Sequence, residues 1–219
     1  MQKTRPDFPD VKPRESTSKY CGSIRARKIR CVPSLDTSSP NTLEAIVDAY
    51  IEHYRGYARE EISFYARRHG DLTRDAIFNL FNRKGGKRHN HQRRIPIKVI
   101  ARVAGKLANA RITKPKNFEF LYTLIEDTIG TIRGIGPLTL YDLAHRIGAR
   151  FGVRPNLVYL HSGTQVGARA LNLKGQTLHP SSLPQQFKRL TAEEIEDCLC
   201  IYKDDLRLHG LSKQGTEQA

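Results

Sequence analysis

A chain of 219 residues is long enough for one or two domains with a real core, and 38% hydrophobic residues is ordinary for a globular protein. No stretch reaches the roughly 18 uninterrupted apolar residues of a membrane helix, and MQKTRPDFPDVKPRE at the N-terminus holds no apolar run fit for a secretory signal. Lys plus Arg number 37 against 22 Asp plus Glu, a formal charge of +15, which points to a polyanionic partner over a plain solubility surface or basic tail.

Residues 1–40 read as a flexible basic arm. They carry five of the eleven prolines, a scatter of Ser and Thr, and the run IRARKIR. A domain over 41–116 follows. Asn41 or Thr42 is placed to cap a long amphipathic helix, TLEAIVDAYIEHYRGYAREEISFYARR, with Leu43, Ile46, Val47, Tyr50, Ile51, Tyr54, Tyr57 and Tyr65 at threes and fours. Gly56 softens its middle. Its four tyrosines suit a packed face better than base stacking. Asp71 opens a second helix, LTRDAIFNLF, which runs toward the pair Gly85-Gly86 and a basic loop, RKGGKRHNHQRRIP.

From Ile97 a third helix is expected. Ile100, Val103, Ala104 and Leu107 form its buried stripe, and Lys98, Arg102 and Lys106, spaced by four, form an exposed basic row. Lys114-Pro115-Lys116 then breaks the chain. The region 117–210 holds two helices joined by a glycine-rich turn, an irregular Gly/Pro-rich stretch with one short strand candidate, LVYL, and a last helix, TAEEIEDCLCIYKDDLRLHG, that starts with a Thr191/Glu194 capping box. Residues 211–219 read as a disordered tail.

Acidic residues are absent from whole stretches. The 43 residues between Asp75 and Glu119 contain no Asp or Glu and twelve cations: Arg83, Lys84, Lys87, Arg88, Arg93, Arg94, Lys98, Arg102, Lys106, Arg111, Lys114 and Lys116. A second acid-free window, Leu143 to Ala192, holds Arg146, Arg150, Arg154, Arg169, Lys174, Lys188 and Arg189. A solubility surface mixes both signs, because neighbouring opposite charges relieve repulsion. Segregation suits a phosphate polymer whose counterions the protein cations replace.

The most specific local pattern is Ile132-Arg133-Gly134-Ile135-Gly136-Pro137 between two apolar-faced segments. Glycines at 134 and 136 permit positive φ and close backbone approach. Pro137 suits the first turn of the following helix, whose free N–H groups then face outward toward an anion. Ile135 would anchor the turn between the helices.

Over about 30 residues around this turn the chain resembles the helix-hairpin-helix family of DNA-binding motifs. The resemblance rests on Arg133-Gly134-Ile135-Gly136, with Thr139 where the family commonly has Thr. It departs at Leu138, where a Lys is common, and at Leu140, where a small Ala is usual. It implies sequence-independent contact of Arg133, Gly134, Ile135, Gly136 and Thr139 with one DNA backbone. The glycosylases of that family would need a catalytic Asp about twenty residues past the turn and often a Lys within it, and neither is present, so no catalytic residue is assigned.

Other chemistry is thinly supported. His89-Asn90-His91 has the letters of a nuclease motif, all within one basic loop. His161-Ser162 lacks a Gly-x-Ser-x-Gly elbow. Cys21, Cys31, Cys198 and Cys200 lack the Cys-x2-Cys spacing of a zinc site, so neither metal nor cofactor is expected.

The expectation is a mainly α, multi-helix globular fold with a helix-hairpin-helix element and a flexible arm. It would be a cytoplasmic, nucleoid-associated or nuclear, non-membrane protein that holds nucleic acid, duplex DNA first and RNA second. The alternatives are an RNA-binding or ribosome-associated factor, an enzyme acting on DNA, and a protein-interaction scaffold.

Overall fold

The computed structural model describes residues 42–79, 81, 94–110 and 112–216, with side chains as far as 210. Over these residues the fold is mainly helical, as expected. The helices are α1 (Leu43–His53), α2 (Arg55–Ala66), α3 (Leu72–Phe78), α4 (Ile97–Asn109), α5 (Phe118–Ile129), α6 (Pro137–Phe151), α7 (Ser162–Ala170), α8 (Ala192–Ile201) and α9 (Lys203–Thr216). Two short strands, β1 (Val158–Tyr159) and β2 (Thr177–Leu178), pair antiparallel. The LVYL segment therefore does carry a strand. Among the described residues no helix is long and apolar enough to cross a membrane.

Local chemistry sets the ends. Thr42, Asp71 and Asn117 each accept a hydrogen bond from a first-turn N–H through the side chain, and Thr191 with Glu194 forms the expected capping box. Asn79 ends α3 in the left-handed conformation at φ 47°, six residues before the expected stop at the glycine pair. The long first helix is broken at Tyr54, two residues ahead of Gly56. There Tyr54 stacks on Tyr50 and meets Tyr202 edge-on. Arg55, the first residue of α2, reaches Glu194 and the carbonyl of Arg189. The last helix is likewise broken at Tyr202, and α9 runs to Thr216 rather than ending near 210.

Two apolar cores result. The first unites α3, α4, α5 and α6 with Ile132 and Ile135 of the intervening turn. The second unites α1, α7, α8, α9 and the strand pair, with Phe187 and Cys198 among its fully buried members. In it, Gly167 lets α7 lie directly on the carbonyl of Leu199, where any Cβ would collide with the backbone of α8. A small cluster of Ile62, Tyr65 and Ala149 seats α2 on α6.

Candidate nucleic-acid interface

The glycine turn occupies residues 130–136 between α5 and α6. The N–H of Ile132 donates to Ile129 O at 3.0 Å, and the N–H of Ile135 donates to Ile132 O at 3.0 Å. Gly134 has φ +96°, which a side chain would resist. Gly136 is the N-cap of α6 at φ −117° and ψ 174°, extended backbone open to any residue, and Pro137 takes the first helical position. Gly136 O accepts from the N–H groups of Thr139 and Leu140. The N–H groups of Gly136 and Leu138 have no acceptor among the described residues.

Exposure differs along the turn. Arg133 and Gly134 are exposed, while Ile135 is buried and Leu140 faces the core. A Cβ added at Gly134 or Gly136 would meet nothing within 4 Å. At Gly136, then, neither dihedral nor internal packing calls for glycine. Ile135 and Thr139 line a small cavity together with Ile95 and Ile100, so the turn lies beside the start of α4 and the adjoining Arg94.

On α4, Ile100, Val103 and Leu107 are buried and Ala104 is half-buried, whereas Lys98, Arg102 and Lys106 are exposed. None of Arg94, Lys98, Arg102, Lys106, Lys114, Lys116 and Arg133 has a carboxylate partner among the described residues. Lys116 lies instead over the half-exposed ring of Phe120, 5.3 Å from its centroid. Arg83, Lys84, Lys87, Arg88 and Arg93, expected to join this surface, lie outside the described residues, as do the 1–40 arm, Cys21, Cys31 and His89-Asn90-His91.

The second acid-free window behaves differently. Arg146 is buried, reaching Glu61 at 3.2 Å and Asp142 at 3.7 Å, and it donates to Ala76 O. Arg154 pairs with Glu193 at 3.1 Å, and Arg189 pairs with both Glu44 at 2.8 Å and Asp48 at 2.7 Å. Asp142 and Glu193 sit just beyond the two ends of the window, and Glu44, Asp48 and Glu61 come from α1 and α2. Three of its seven cations are therefore neutralised, while Arg150, Arg169, Lys174 and Lys188 stay exposed.

A third polar region lies inside, and no spacing along the chain announces it. His161 Nε2 stands 2.8 Å from Glu196 Oε1, with both side chains buried. The Tyr141 ring stacks on His145 and tilts against His161, and His145 Nε2 is 3.4 Å from Glu193 Oε2. Burial, reinforced by the nearby carboxylates, pushes the Tyr141 hydroxyl well above its usual range. Because i, i+3 spacing on α8 aims Glu193 and Glu196 at one side, the pairs stitch α6 and the start of α7 together. Ser162, the hydroxyl next to His161 in sequence, is exposed while His161 is buried. Tyr50 and Tyr65 are fully buried and Tyr54 and Tyr57 half-buried, so these rings are packing groups.

No family model, curated protein or solved structure matches this chain.

Proposed function

We propose that this protein holds nucleic acid by its phosphate backbone, with duplex DNA the preferred form, through two adjoining surfaces. One is the turn of Arg133, Gly134, Ile135 and Gly136 with Thr139, acting as a helix-hairpin-helix clamp. The other is the row Arg94, Lys98, Arg102 and Lys106. The observation that carries the reading is the contrast between the two acid-free windows. In the second, carboxylates from outside the window answer three of the cations. Along α4 and its flanks every described cation faces solvent unanswered. Holding like charges four residues apart on one helix face costs the folded state a little, and a polyanion would offset that cost.

The turn adds a distinct kind of contact. Two unclaimed N–H groups at the positive end of a 15-residue helix suit one phosphate oxygen, and the absence of a side chain at Gly136 leaves room for it. Neither contact reads a base edge, so binding would be independent of sequence.

Fluorescence anisotropy of a labelled random duplex across a salt series tests the proposal. Six to ten phosphate contacts predict an affinity loss of about 10³–10⁵ between 50 and 200 mM salt. Absence of binding at low salt, or a flat salt response, would refute it. The same titration with duplex RNA and with single strands settles the form held. Preference for single strands would move attention to the half-exposed Phe120 ring as a stacking surface.

A further inference from the structure

The connection from α7 to β2 forms a second concave surface that shares no residue with the glycine turn or α4. It is lined by Leu160, Gln165, Arg169, Leu173, Lys174 and Gly175 and encloses about 150 Å³. No carboxylate lines it. Arg169 and Lys174 are both exposed and have no acidic partner among the described residues, unlike Arg146, Arg154 and Arg189 of the same acid-free window.

The pocket is built rather than incidental. Its turn is pinned at one end by the N–H of Leu173 on Ala168 O at 2.9 Å and at the other by the N–H of Leu160 on Gln176 O at 2.8 Å. Asn172 at φ 58° and Gly175 at φ +143° both hold left-handed backbone, and a Cβ at Gly175 would press on Thr177 O at 3.0 Å. The side-chain amide of Gln165 is held by Leu160 O at 3.4 Å, which leaves its second N–H for another acceptor.

We infer that this pocket is a receptor for a single phosphate group. Its volume is well under the roughly 300–1,000 Å³ of sites that enclose a whole ligand, so one charged group enters while the rest of the molecule stays outside. A guanidinium, an ammonium and an amide N–H line this one pocket with no carboxylate among its lining residues, which selects an anion that accepts several hydrogen bonds at once. A terminal phosphate of a nucleotide or strand end and an internal phosphodiester share this chemistry. The pocket would serve this role whether or not the glycine turn clamps DNA.

The test is ¹⁵N NMR of the full chain titrated with inorganic phosphate at low salt. Saturable shifts are expected at the amides of Gln165, Arg169, Lys174 and Gly175. In Arg169→Gln/Lys174→Gln, whose dispersed spectrum would show it folded, phosphate affinity should fall at least about tenfold with the loss of two charge-assisted contacts. Shifts spread evenly over all basic surfaces, or unchanged in the double variant, would overturn the inference. A single-stranded oligonucleotide with and without a 5′-phosphate then separates the two sources. A terminal group requires the 5′-phosphate for tight binding at these amides. An internal group binds both forms alike, and the double variant weakens both.

Discussion

Gly134 holds φ +96°, where a Cβ crowds its own backbone, whereas Gly136 at φ −117° and ψ 174° is open to every residue type. The two glycines therefore make separable predictions. Gly134→Ala should lower stability by about 1–2 kcal/mol, read from urea or thermal unfolding, because the turn must then carry a strained residue. Gly136 is the N-cap of α6 and has no side chain to cap it with. Asn is among the strongest N-caps, so Gly136→Asn should leave stability unchanged or raise it slightly. If the turn clamps a phosphate as proposed, affinity for duplex DNA should nevertheless fall, because the new side chain would stand in the approach to the free N–H groups. A Gly136→Asn variant that binds like the parent would show that the bare backbone there serves no ligand.

At the scale of one helix, α4 keeps Ile100, Val103 and Leu107 inside and Lys98, Arg102 and Lys106 outside, with Ile97 of its first turn exposed as well. Replacing the three cations with Gln removes no hydrogen bond or ion pair among the described residues and relieves repulsion between residues four apart, so melting temperature should hold or rise. If each cation meets one phosphate, the salt slope of duplex binding should become shallower by about one unit per residue, three in all. An unchanged slope would place the polyanion elsewhere. This helix was legible in the sequence because its period and its charge row agree. The single long helix expected over 43–68 was not, since its break comes from Tyr54 packing on Tyr202 and Arg55 turning to Glu194, contacts made across more than 130 residues. Counting cations in a window failed for the same reason at Arg146, Arg154 and Arg189. Apart from Asp142, four residues before Arg146 on α6, their partners Glu61, Glu193, Glu44 and Asp48 are supplied by other helices, and no window along the chain could pair them.

Over the whole molecule, two cores meet along a polar seam. Tyr141 and His145 of α6 face His161 at the start of α7 and Glu193 and Glu196 of α8, so α6 is tied to the second core through ionisable groups. Burial alone would push the Glu193 carboxyl upward. Contact with His145 and the charges of His145, Arg154 and Arg59 outweigh that effect and hold it below the ordinary carboxylate range. A carboxyl depressed in the folded state contributes stability that is fully present above its unfolded value of about 4.3, and that stability is lost as pH falls through the folded value. The urea midpoint should therefore drop as pH is lowered below about 4.3, and Glu193→Gln should reduce that drop by removing the group whose proton uptake drives it. At neutral pH the same variant should already be weaker, because His145 and Arg154 lose the charge they share. If the seam joins the two cores, chymotryptic cleavage in the 152–161 connection, which holds Leu157, Tyr159 and Leu160, should accelerate in Glu193→Gln. Parallel acid profiles for parent and variant would mean that Glu193 does not control how the halves hold together.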